Sequence, residues 1–236
     1  MVGTLINVGT VLAGTAIGTA IGPRLPQRIQ QRVLAGLGLI TLALGIDLAL
    51  AWGGEDTSTS TPLYVLGGVL LGGIVGELLG IERRLEALGD TLQARLTHHG
   101  SEEHSTVSEG FVTASLLFCV GSLTVVGSIQ DGLTGDYQLL ATKAVLDGFA
   151  AVALSATLGW GVGLSAITVL LLQGAITLGA GLFDDLLVGE ALAVLTSAGG
   201  VTIIGIALKL LDIKDVKVGN FLPALVIAPA LVALPV

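Results

Sequence analysis

The stretch "SLLFCVGSLTVVGSIQDGL", Ser115–Leu133, is apolar enough to enter a bilayer, yet Gly121, Ser122, Gly127 and Ser128 interrupt it and Asp131 stands near its end. Glycine inside a helix costs about 1 kcal/mol relative to alanine. Two arrangements make sense of such a segment. The helix is broken at Gly121 or Gly127, turning backbone polar groups toward a protein-lined cavity and away from lipid, or it is continuous and its small residues let a neighbouring helix approach closely.

The rest of the chain favours a membrane setting for either arrangement. Of 236 residues, 53% are hydrophobic and 12% charged, too little charge to cover a soluble domain of this size. The apolar runs last close to twenty residues, which fits spanning helices and not the short alternating strands of a membrane barrel. With 4% aromatic residues and 35 glycines, these helices are expected to pack through small residues. The single Cys119 excludes a disulfide framework or a CxxC pair. No basic patch with interleaved aromatics points to nucleic acid. The start, "MVGTLINVGTVLAGTAIG", lacks a basic leader and an A-x-A site, and reads as a retained first helix.

Eight apolar segments are expected, near residues 3–22, 33–52, 63–81, 110–130, 139–159, 163–183, 189–210 and 219–235. With the N-terminus outside, nine of the ten Lys and Arg fall on the cytoplasmic side, and both termini lie outside. The exception is Lys143, within the fifth segment. The turn "GWGVG" between segments five and six is short for two full spans, so a re-entrant hairpin within residues 110–160 is the alternative. Residues 82–108 begin as an amphipathic cytoplasmic helix, with Leu85, Leu88, Leu92 and Leu96 at spacings of three and four, and continue as a flexible linker. That linker holds His98, His99 and His104, read as solvated and not as metal ligands.

Segments one to three resemble segments six to eight, with Asn7 opposite Gln173 and Thr41 opposite Thr202. In the eight-span arrangement the second copy is inverted, as in many secondary transporters. The expected organisation is one membrane domain: a first three-helix repeat over 1–81, the cytoplasmic segment 82–108, a central helix pair over 109–160, and a second repeat over 161–236.

Lys143 and Asp147 in "TKAVLDG" stand four apart, on one helix face. Charges at membrane depth are costly and mostly face a bundle interior or an aqueous cavity, so the pair marks a substrate or proton site, or else an ion pair orienting the helix. Asn7 and Gln173 are neutral amides inside apolar segments, suited to a solute or to interhelical bonding. Asp47 and Glu77 lie near helix ends and read as structural, Glu77 within reach of Arg83 or Arg84. The runs Gly14, Gly18, Gly22 and Gly68, Gly72, Gly76 form flat stripes for close packing, within the protomer or across a dimer. Gly199 and Gly200, beside Ser197 and Thr202, are a second candidate for locally unwound helix. No Ser-His-Asp set, G-x-x-x-x-G-K-[ST] or HExxH occurs, so neither an enzyme nor a self-contained ATP-driven pump is expected, and no cofactor or metal.

Several motifs together, "GTLINVGTVLAGTAIG", "GELLGIERRLEALG", "EGFVTASLLFCVGSLTVVGSIQDGLTGDYQLLATKAVLDG", "LLQGAITL" and "KVGNFLPAL", resemble the YqgA/YdfK-like bacterial inner-membrane proteins, the family of domain of unknown function 554. The resemblance covers nearly the whole chain and is most specific through Phe118–Asp147. It implies a multi-pass protein of the bacterial plasma membrane and brings no catalytic residues. Gln130, Asp131, Lys143, Asp147, Gln173, Gly174 and Asn220 lie within its motifs.

The sequence is thus read as an all-helical polytopic membrane protein, a homo-oligomer, most simply a dimer, acting as a gradient-driven transporter of a small polar or ionic solute. The expected site lies near the midplane between Ser122, Thr124, Ser197, Gly199 and Thr202, lined by Asn7 and Gln173, with Lys143 and Asp147 as charge partners. A passive channel, or a structural or regulatory membrane protein without transport, are the alternatives.

Overall fold

The computed structural model of the chain describes residues 1–54, 57–85, 87, 91, 104–119, 122–182 and 188–233. Within them the chain is helical. The helices are α1 (Val2–Ile21), α2 (Gln27–Ala49), α3 (Thr61–Leu79), α4 (His104–Cys119), α5 (Ser122–Leu133), α6 (Gln138–Leu158), α7 (Gly161–Leu178), α8 (Gly189–Leu210) and α9 (Ala224–Val232), with 3-10 turns at Gly22–Arg24, Leu50–Gly53 and Val218–Phe221.

Among the described residues, six helices are long and apolar enough to cross a membrane: α1, α2, α3, α6, α7 and α8. A seventh span arises if α4 and α5 are taken together. At 16 and 12 residues they rise about 24 and 18 Å, each short of a hydrocarbon core of about 30 Å. The axis turns by 62° between Val107–Cys119 and Leu123–Leu133. The opening stretch is therefore two helices, and its break lies after Cys119, not at Gly127, which sits inside α5. The eighth apolar segment forms the turn Val218–Phe221 and the nine-residue α9, which carries Pro229 within it. Val218–Val232 rises only about 22 Å, so this segment too falls short of a full span.

The chain packs as two units, each described by itself. The first holds α1, α2 as far as Leu37, α4, α5 from Leu123, α6 and α7. Its spine is α1 on α6. A Cβ added at Gly14 would meet the Gly148 carbonyl and Ala151; at Gly18, Ser155 and the Val152 carbonyl; at Gly22, the Ala156 carbonyl. These contacts climb both helices together, so α1 and α6 run parallel. α7 runs antiparallel to α1, with Gly163 against Thr15 and Gly174 against Met1. The reversal between α6 and α7 needs only Gly159 and Trp160, because Gly159 takes the left-handed φ of 78° that a β-carbon disfavours. "GWGVG" is thus long enough for two helices of 21 and 18 residues.

The second unit holds α2 from Gly38, α3, α8, the Val218–Phe221 turn and α9. Here the stripe Gly68, Gly72, Gly76 of α3 lies on Ala228, Ala224 and Asn220, and the two segments are antiparallel. On the opposite face of α3, Leu63, Leu66, Leu70, Ile74 and Leu78 are exposed, as a lipid-facing surface requires. Both glycine stripes are filled within the protomer and no longer argue for a dimer. α8 runs unbroken through Gly199 and Gly200, so the expected unwinding there does not occur. Gly200 instead lies against the backbone of α2 at Gly45 and Ala49, which explains why no side chain fits. At the other end, Glu190 in the first turn of α8 accepts hydrogen bonds from Ser58 Oγ (2.6 Å) and Thr61 Oγ1 (2.5 Å), a carboxylate at a helix N-terminus that also fastens α3.

Candidate functional site

The break in the opening stretch sets the first group of the site. Because α4 ends at Cys119, the carbonyl of Phe118 is among the last four that have no intrahelical partner. Lys143 of α6 satisfies it: Nζ donates to Phe118 O at 2.6 Å. Thr124 of α5 donates to the same oxygen at 3.3 Å. Both sides of the break are thus tied to one backbone acceptor.

The same ammonium pairs with Asp147 one turn along α6, and both side chains are about nine-tenths buried or more. Asn7 of α1 donates from Nδ2 to Asp147 Oδ2 at 2.9 Å. Two opposite charges taken out of water in this way need further hydrogen bonds to persist, and the Phe118 carbonyl and the Asn7 amide supply them. The parallel packing of α1 on α6 brings Asn7, 140 residues distant, to this level.

A second tier lies one turn away, where α5 meets the start of α1. Asp131 accepts the Gly3 N–H at 3.1 Å and lies 2.8 Å from the Met1 amino nitrogen. A carboxylate placed there also complements the positive end of the α1 dipole. The same unit holds buried polar atoms that make no hydrogen bond to another protein group: Thr4 Oγ1, Asn7 Oδ1, Ser128 Oγ, Thr177 Oγ1 and both amide atoms of Gln173. Each such atom costs about 1–3 kcal/mol when left without a partner. Elsewhere in the same unit Ser115 of α4 and Thr168 of α7 pair their hydroxyls at 3.0 Å.

Of the residues singled out from sequence, Asn7, Thr124, Lys143 and Asp147 come together around the Phe118 carbonyl, and Gln173 is buried in the same unit on α7. Ser122 begins α5; its side chain lies outside the described residues, as do Gly121, Leu88, Leu92, Leu96, His98, His99 and the His104 side chain. Ser197, Gly199 and Thr202 belong to the second unit on α8, where Thr202 bonds back to the Ala198 carbonyl and Ser197 Oγ is buried without a protein partner. Asp47 is exposed on α2. Sequence reasoning named Ser128 only as an interruption of its segment and did not single out Thr4, Thr177 or the Phe118 carbonyl. The spacings Thr4–Asn7, Thr124–Ser128–Asp131, Lys143–Asp147 and Gln173–Thr177 are all three or four, so one polar ladder per helix was the available signal.

The second unit carries a polar lock of its own. Asn220 donates from Nδ2 to Glu77 Oε2 at 2.6 Å and accepts the Glu82 N–H at 2.8 Å, while Glu82 Oε2 accepts the Gly219 N–H at 2.5 Å. Glu77 thus meets an amide, not an arginine. An open groove of about 450 Å³ runs beside it, lined chiefly by α3 and Phe221.

The family described as protein of unknown function DUF554 matches residues 2–233. The chain belongs to that family. DUF554 relatives include the "Uncharacterized membrane protein YdfK" of Bacillus subtilis (strain 168), 30% identical over 232 residues, covering 98% of this chain and 96% of the relative. The "Uncharacterized protein YqgA" of Escherichia coli (strain K12) is 30% identical over 234 residues, covering 99% and 97%. No solved structure matches this DUF554 chain. The YdfK relative is named a membrane protein, and the apolar helices of this chain agree with a helical, multi-pass membrane protein in contact with lipid.

Proposed function

We propose that this protein is a non-enzymatic secondary transporter of a small polar or ionic solute across the bacterial plasma membrane. The observation that supports it is the buried Lys143–Asp147 pair, bonded by Asn7 and held against the carbonyl exposed where α4 breaks from α5. Charged side chains and interrupted helices are both costly in a bilayer, and transport folds place them together at solute and coupling-ion sites. The solute binds through neutral amides and hydroxyls, with the ion pair as the group whose partners exchange during the cycle. The distribution of nine of ten cationic residues to one side supports the N-terminus lying outside.

Reconstitution tests the reading directly. Purified protein in liposomes is loaded with amino acids, organic acids or inorganic ions in turn, and efflux is followed with and without proton and sodium gradients. A gradient-stimulated flux that Asp147→Asn uncouples or abolishes is expected. Flux indifferent to every gradient would indicate a channel, and no flux of any solute would sink the transport reading altogether.

A further inference from the structure

We propose that the first unit holds a binding site for a monovalent alkali cation where the start of α1 meets the ends of α5 and α7. The proposal deepens the transport reading by naming the coupling ion class, though its test does not depend on flux.

Three contacts bring these ends together. Asp131 of α5 takes the Gly3 N–H of α1, a Cβ at Gly132 of α5 would meet the Thr177 carbonyl of α7, and a Cβ at Gly174 of α7 would touch Met1. At this junction stand Thr4, Ser128, Gln173 and Thr177, with Asn7 one turn along α1. Thr4, Asn7, Ser128 and Gln173 have no solvent exposure, and Thr177 has 5%. All five offer an oxygen without a protein hydrogen bond.

The absence of a local bond is not the default for hydroxyls in these helices. Thr15 donates to the Val11 carbonyl at 2.8 Å and Ser155 to the Ala151 carbonyl at 2.5 Å, the usual four-residue back-bond of serine and threonine in membrane helices. Ser128 and Thr177 have carbonyls four residues back, yet do not use them. Oxygens from three helices, two from amides and three from hydroxyls, form a neutral donor set. The buried Asp131 carboxylate beside it is already paired with the Met1 amino group at 2.8 Å, so the junction carries no net charge of its own. Among the described residues no group of three His, Cys, Asp or Glu gathers, so the chemistry differs from that of a divalent or transition-metal site. Neutral oxygens with no spare carboxylate can replace the hydration shell of a singly charged alkali ion but not that of a divalent one.

Full-length protein in detergent is heated in NaCl, KCl, LiCl or choline chloride at equal ionic strength. One alkali cation is expected to raise the unfolding midpoint saturably, by roughly 5–10 °C at about a hundredfold its Kd, with choline inert. Ser128→Ala and Thr177→Val remove oxygens that hold no other protein group, so both variants should fold in choline. Each should shift the half-saturating concentration upward at least tenfold. Equal midpoints in all four salts would overturn the site and leave buried water as the partner of these oxygens. Unshifted saturation in both variants would overturn it equally. A cation response without flux defeats the transport reading alone; flux without a cation response defeats this proposal alone.

Discussion

Replacing Lys143 by methionine isolates the buried ion pair. The substitution keeps most of the side-chain volume and removes the ammonium. Asp147 then retains only the Asn7 amide at 2.9 Å, and the Phe118 carbonyl retains only the Thr124 hydroxyl at 3.3 Å. Removing one member of a buried pair costs about 3–5 kcal/mol, because the other charge is left uncompensated. With about 2–4 °C per kcal/mol for a chain of this size, the midpoint in detergent should fall by roughly 6–20 °C. The double variant Lys143→Met with Asp147→Asn should recover at least half of that loss, since no net charge stays buried and the amide oxygen introduced by the second substitution still accepts from Asn7. Fluorescence-detected gel filtration after heating reads both. A single-variant loss below about 1 kcal/mol, the range of exposed pairs, would refute the claim that the pair is buried and mutually dependent.

Along α1, Gly14→Ala should destabilise by about 1–3 kcal/mol by pressing on the Gly148 carbonyl, whereas Gly9→Ala, with open space beside it, should be neutral or stabilise by up to about 1 kcal/mol; paired melting curves decide. Asn220→Ala removes the amide that accepts from the Glu82 N–H and donates to Glu77, and should lower stability by about 2–3 kcal/mol, with faster proteolysis after α3 as a second readout. Glu190→Gln should cost no more than about 1 kcal/mol, because the carboxylate is only half-buried and the amide oxygen still accepts from Ser58 and Thr61; thermal unfolding measures it.

The helical class and the segment positions were legible because hydropathy and run length report directly on burial in lipid. The break in Ser115–Leu133 was legible from its small residues, though the choice between Gly121 and Gly127 was not: Gly127 meets Leu139 and Leu140 within a continuous helix. The same reasoning failed at Gly199–Gly200, where paired glycines serve contact with α2 and the helix goes on. Small residues signal a close neighbour and a break alike, and only the neighbour tells them apart. Lys143 and Asp147 were readable from their spacing. Their bond to Asn7 was not, since it depends on the register of α1 against α6. Length alone also counted residues 219–235 as a full span, where Pro229 and a 3-10 turn leave a shorter element.

The acceptor at the helix break belongs to the main chain. Residue 118 will therefore register in a mutational scan only through its fully buried ring, since every substitution there preserves the carbonyl. A genetic map of the centre would have a blank at its middle, visible only indirectly as intolerance at Lys143 and Thr124. Chemistry that edits the backbone itself, an amide-to-ester replacement altering that one oxygen's basicity, is the probe suited to it.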